Sequence, residues 1–264
     1  MTLVRRPAVA GAFYPSRPDD LRAAIERAFA GVVTSPGNGG DDVRVPKAIV
    51  APHAGYVYSG AVAATAYARV APARDRIERV VLLGPAHRVW LEGVAASGYD
   101  AWRTPLGDVV VERPLNVPVD DLAHADEHSL EVHVPFLQTV LADGFTLVPL
   151  VVGHASPHHV AALLDDLWGG DETLVVVSTD LSHYHDHATA TDLDRATAAR
   201  IVTRDHAAIG DRDACGAYPL RGLLFAASQR GLDVELLDLR NSGDTAGPSD
   251  RVVGYGAFAV SGRR

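Results

Sequence analysis

Histidines and one cysteine placed just past apolar runs are the residues of this chain best suited to chemistry. His53 follows K-A-I-V-A within A-P-H-A-G-Y, and His87 follows R-V-V-L-L-G within G-P-A-H. A third run, T-L-V-V-V-S-T, leads into D-L-S-H-Y-H-D-H, which puts Asp180 and His183 nearest its end. Cys215, the single cysteine, sits in D-A-C-G-A-Y-P ahead of a helical pattern. An imidazole offers a neutral nitrogen lone pair and a thiolate offers a soft sulfur, so two of the first with one of the second suit a transition metal. A lone cysteine is also often just a small buried hydrophobe. The neighbouring Asp213 would not favour a free thiolate at Cys215, whereas a metal would.

Other titratable clusters read more weakly. His185 and His187 fit a solvated loop or the first turn of a helix. In H-A-D-E-H-S-L-E-V-H (124–133), His128 and Glu131 are three apart and would share a helical face, so they are kept as groups lining the pocket or supporting its ligands. This is not the H-E-x-x-H pattern of zinc proteases. The segment G-H-A-S-P-H-H (153–159) reads as loop and helix cap.

The elements that must position these groups alternate along the chain. Strands are expected over 47–51, 79–84, 93–97, 145–153, 173–179, 234–240 and 252–260. Helices are expected over 18–30, 59–70 with Ser59 able to cap it, 128–142 with Pro135 kinking it or marking its start, 158–168, 186–205 and 218–231, the last ended by Gly231. The Gly-, Pro- and Asp-rich stretch 34–46 reads as an exposed loop, and 99–120 as irregular. Continuous Val, Ile and Leu runs mark strands covered on both faces. The pattern predicts a single α/β layered domain over residues 1–264, with a central mixed, largely parallel sheet flanked by helices. In such sheets ligands bind outside the carboxyl ends of strands, where the His53 and His87 loops would lie if their strands are parallel neighbours.

Composition narrows the field. Hydrophobic residues make up 47% and charged residues 22%, an ordinary globular balance. The net charge of −9 argues against a nucleic-acid partner. Lys47 is the only lysine, so there is no Gly-Lys-Ser/Thr phosphate loop and little scope for Schiff-base chemistry. A single cysteine allows no intrachain disulfide and fits a reducing cytosol. The first residues lack the apolar stretch of a signal peptide, and no run nears the ~20 residues needed to cross a bilayer. A soluble, cytoplasmic protein with no membrane partner is expected.

Seven motifs in order carry a family resemblance. They are A-G-x-F-Y-P, A-P-H-A-G-Y-x-Y-S-G, G-P-x-H, T-P-L-G-D, E-H-S-L-E-V-H-V-P-F, S-T-D-L-S-H-Y and D-A-C-G, and the resemblance they carry covers nearly the whole chain, from Ala10 to Val260. Together they resemble the Memo-like family, whose microbial members are also called AmmeMemoRadiSam system protein B. That family is similar in fold to the class III extradiol ring-cleaving dioxygenases, which hold non-haem iron(II). The resemblance implies His53, His87 and Cys215 as metal ligands, Asp180 as a catalytic pocket residue and His183 as an active-site histidine. Cys215 stands where the dioxygenases carry a carboxylate or histidine. A thiolate changes the metal's electronics, so ring cleavage is not carried over. The microbial family name also implies association with a radical-SAM protein and an Ammecr-type protein.

Three functions are weighed. The first is an iron(II)- or copper-dependent redox enzyme acting on a small molecule, with His183 moving protons. The second is a non-catalytic protein whose pocket binds a peptide or partner. The third is metal-free thiol catalysis at Cys215. Two histidines and a cysteine also describe blue-copper ligation, but Met1 is the only methionine, which removes the usual axial ligand. Zinc is the less favoured alternative and would argue against redox work.

Overall fold

Each apolar run becomes a strand whose residues alternate between two separate cores. The computed structural model describes residues 2–32 and 45–262, so most of the loop expected over 34–46 lies outside the described residues. In chain order the principal elements are β1 (Val4–Arg5), α1 (Pro18–Ala30), β2 (Ala48–Ala51), α2 (Tyr56–Ala68), β3 (Arg79–Pro85), β4 (Val94–Ala96), β5 (Ala101–Thr104), β6 (Gly107–Val111), α3 (Asp121–Ala125), α4 (His128–Glu131), α5 (Val134–Val140), β7 (Thr146–Val152), α6 (Pro157–Leu167), β8 (Thr173–Ser178), β9 (His183–His185), α7 (His187–Val202), α8 (Ala217–Gln229), β10 (Asp233–Asn241) and β11 (Val252–Ser261).

The strands form one sheet in the order β1-β5-β6-β7-β3-β8-β2-β11-β10, with β4 beside β7 and β9 beside β11. Its centre, from β6 through β7, β3 and β8 to β2, is parallel. β11 and β10 continue it antiparallel beyond β2. This is the α/β fold with a mixed, mostly parallel sheet that the alternating pattern predicts.

Strand side chains point alternately to opposite faces. Ile49, Val80, Leu82, Leu147, Leu174 and Val176 pack on one side with Leu21 and Ile25 of α1, Val62 and Tyr67 of α2 and Phe136 of α5. Val50, Val81, Leu83, Val148, Val175 and Val177 pack on the other with Val160 and Leu164 of α6 and Leu220 and Leu224 of α8. Each such aliphatic side chain contributes roughly 1.5–3 kcal/mol on burial. That makes the sheet a rigid platform for the loops at its carboxyl edge.

Three expectations change. The stretch 99–120 contains a hairpin, with Ala101–Thr104 paired to Gly107–Val110 across Pro105 and Leu106. Gly107, at φ 128°, makes the turn back. Strands this short give too little alternation to outweigh the Pro and Gly within them. The helix over 128–142 is two helices, α4 and α5, with Pro135 in the first turn of α5, where its missing N–H costs nothing. α2 starts at Tyr56 after Gly55, not at Ser59, whose hydroxyl instead donates to the Ala54 carbonyl inside the helix's first turns.

Candidate metal centre

The carboxyl ends of β2, β8 and β3 lie side by side, with β8 in the middle. His53 leaves β2, Asp180 and His183 leave β8, and His87 leaves β3. The two histidine strands are therefore not direct neighbours but flank the Asp180 strand. Asp180 ties the first loops together. Its Oδ1 accepts from the His53 backbone N–H at 2.8 Å, and its carbonyl accepts from the Cys215 N–H at 3.2 Å. Its own N–H points at Cys215 Sγ, 3.3 Å away.

Two glycines let the outlying segments come this close. A Cβ on Gly216 would meet the Ser178 carbonyl at 2.5 Å, so only glycine lets the Cys215 turn lie on the end of β8. A Cβ on Gly84 would meet Leu130 at 2.8 Å and Ser129 Oγ at 2.9 Å, so its absence lets α4 press against β3. That contact delivers Glu127 and His128 to His87.

His53, His87 and Cys215 each present a ligand atom, and these atoms all lie within 4.8 Å of one another. His53 is buried, with Nε2 3.3 Å from Cys215 Sγ and Nδ1 2.6 Å from Ser178 Oγ. His87 lies at the solvent side, its ring 5.2 Å from that of His53. Its Nδ1 faces Glu127 Oε1 at 3.0 Å. An ionised carboxylate only accepts, so Nδ1 carries the proton and Nε2 is left as a lone pair. His128 stacks on His87 at 4.8 Å between centroids and lies 5.5 Å from His53. His87, Glu127 and His128 form a second grouping of ligand atoms within 4.8 Å.

The electrostatics favour uncharged donors. Burial, and then the nearby His87, His128, His133 and His183, push the His53 imidazolium well below its ordinary range. Burial lowers His128 to about 4. Burial and the Asp180 charge push the Cys215 thiol well up. Burial also raises Asp180 to about 6, against the lowering pull of the His53 N–H and of the nearby His183 and His87 rings. Neutral imidazoles are ready donors, and a cation that displaced the thiol proton would restore favourable charge to a cluster that otherwise resists it. The donor set therefore fits a transition metal.

The other candidate residues divide. His183 is half-buried, with Nδ1 donating to the Leu181 carbonyl at 2.8 Å. Glu131 is not brought to the cluster. Its carboxylate pairs with buried Arg5 at 2.7 Å and accepts from the backbone of Ala8 and Val9 and the hydroxyl of Tyr14. It anchors the N-terminal segment instead. His185 is exposed, and His187 opens α7 and pairs with Asp244. Glu127, Ser178, His133 and Tyr67 were not singled out from the sequence. The one available signal was Glu127 immediately before His128 and two residues before Ser129, whose N–H it caps.

Comparison with known proteins finds relatives over nearly the whole chain. A family model described as Memo-like protein matches residues 5–259. A MEMO1 family protein of Methanopyrus kandleri is 39% identical, the match covering 96% of this chain and 98% of the relative. One of Methanosarcina barkeri is 36% identical over 97% of this chain and the whole of the relative. One of Sulfolobus acidocaldarius is 33% identical over 96% and 98%. Matched from one end to the other by the family model and by these relatives, the chain belongs to the Memo-like protein family.

Proposed function

We propose that this protein binds a transition metal, iron(II) or copper, and acts as a redox enzyme on a small molecule in the crevice at the strand carboxyl ends. The observation that carries this reading is the convergence of His53, His87 and Cys215, whose ligand atoms lie within 4.8 Å. A bound iron or copper would supply one-electron chemistry and Lewis acidity. The chain's own groups do the rest. His53 is buried, Cys215 lies half-buried against it, and His87 sits at the solvent side. Asp180 holds the His53 and Cys215 loops in register. His183, with Nδ1 committed, takes or gives a proton at Nε2. The raised thiol pKa disfavours a metal-free nucleophile at Cys215.

A second reading is a non-catalytic pocket for a peptide or partner, including radical-SAM or Ammecr-type proteins. Exposed Tyr58, Trp90 and Tyr184 stand within a few residues of His53, His87 and His183 in sequence, and exposed aromatics favour a binding surface. Elemental analysis of protein purified without air or an affinity tag, beside His53→Ala and Cys215→Ser, tests the first reading. Near-stoichiometric iron or copper that is lost in both variants supports it, and oxygen-dependent turnover then separates enzyme from binder. No metal in the wild type, and none taken up when offered, overturns it.

A further inference from the structure

Behind His53 runs a chain of buried polar groups that lies outside the ligand set. Ser178, the last residue of β8, is fully buried. Its Oγ lies 2.6 Å from the Ser129 carbonyl, 2.6 Å from His53 Nδ1 and 2.9 Å from His133 Nε2. His133 Nδ1 lies in turn 2.9 Å from the hydroxyl of Tyr67, also fully buried.

The protons of this chain can be counted. A serine hydroxyl has one hydrogen and two lone pairs. A carbonyl only accepts, so the hydrogen of Ser178 goes to Ser129. Both remaining lone pairs must then receive N–H bonds, one from His53 Nδ1 and one from His133 Nε2. Burial holds His133 down at about 3, so its ring is neutral and its Nδ1 is bare. Tyr67 fills that lone pair with its O–H. The opposite arrangement, with Ser178 donating to His53, would set two acceptors against each other at 2.6 Å on the Ser129 side.

We infer that Ser178, locked by Ser129, His133 and Tyr67, is a positioning residue that holds His53 as its Nδ1–H tautomer and so presents a bare Nε2 lone pair to Cys215 before any metal arrives. The tautomer of an imidazole follows the hydrogen bond made by its other nitrogen. The two ligand histidines are then held by different chemistry. A neutral hydroxyl receives His53, while a carboxylate receives His87. The purpose of the device rests on the metal-binding reading; its geometry does not.

The test is nitrogen-15 NMR of the histidine rings in metal-free protein at neutral pH, with His53 and His133 assigned by His53→Gln and His133→Gln. The expected spectrum shows His53 protonated at Nδ1 and His133 at Nε2, opposite tautomers on either side of one hydroxyl. In Ser178→Ala, His53 should lose that preference, and anaerobic titration with iron(II) alone should show affinity reduced by about tenfold to a hundredfold. His53 protonated at Nε2 in the wild type overturns the inference, as does a Ser178→Ala variant that keeps both tautomer and affinity. Where Ser178→Ala does not fold, the wild-type spectrum decides. A wild type that shows the Nδ1–H form yet takes no metal sinks the metal reading and upholds the tautomer assignment.

Discussion

The Glu127 carboxylate holds His87 twice, accepting from its backbone N–H at 2.6 Å and from its ring Nδ1 at 3.0 Å. The same carboxylate caps α4 by accepting from the Ser129 N–H at 2.9 Å. Burial alone would raise its pKa, but the hydrogen bonds from the His87 ring, the His87 backbone and Ser129 overcome it and hold Glu127 at about 2. One ionised group therefore fixes a candidate ligand's loop, its ring and a helix start.

Glu127→Gln should weaken metal retention by about tenfold to a hundredfold, because an amide cannot accept at both of its atoms. Dialysis against graded chelator, followed by elemental analysis, measures this. Retention equal to wild type would show that the Glu127 contacts do not orient His87 for binding.

Glu131→Gln should act on stability and not on metal. Its partner Arg5 is buried, stacks 4.3 Å from the Trp102 ring and would be left without its counter-charge. Breaking a buried pair from one side costs about 3–5 kcal/mol. Urea unfolding should show that loss, while metal per folded protein stays at the wild-type value. A drop in metal content at unchanged stability would return Glu131 to the pocket.

Stability should fall as the pH drops below neutrality, partly through His124. Burial lowers its pKa to about 4, and its Nε2–H donates to the Ala95 carbonyl at 3.1 Å. The unfolded chain binds the proton near 6.5, so between about 6.5 and 4 the unfolded state holds more protons than the folded one. The contribution is full above about 6.5 and is lost on the way down to about 4, by up to about 3 kcal/mol. His124→Gln, whose amide can still donate to Ala95, should flatten that slope in pH-dependent urea unfolding. An unchanged slope would remove His124 from the account.

Gly216→Ala should damage the centre more than Gly84→Ala. The added methyl at 216 meets backbone, the Ser178 carbonyl at 2.5 Å, which cannot turn away. At 84 it meets the side chains of Leu130 and Ser129, which have some freedom. Overpacking of this kind costs about 1–3 kcal/mol or more. The expected order, in both thermal unfolding and retained metal, is wild type, then Gly84→Ala, then Gly216→Ala. The reverse order would mean that the Cys215 turn has room the contacts do not show.

The sheet and the loops after its strands were legible because both rest on local rules. Unbroken Val, Ile and Leu runs need cover on both faces, and the residues just past them must emerge at the carboxyl edge. His53, His87, Asp180 and His183 follow from that alone. Which carboxylate serves His87 does not. Helical spacing favours Glu131, three residues from His128, over Glu127, the cap of the same short helix. The choice is made by the packing of α4 on β3, a contact forty residues long in sequence that Gly84 permits. Tyr67, His133 and Ser178 lie on three elements far apart in the chain, and Ser178 reads as merely the end of an apolar strand. A hydrogen bond depends on angstrom-scale placement of two atoms, and hydrophobic periodicity carries no such information. The sequence by itself determined the central strands of the sheet and which residues emerge at its carboxyl edge. Only the tertiary structure decided which buried hydroxyl and which carboxylate stand behind the imidazoles, because that is a matter of packing between distant elements.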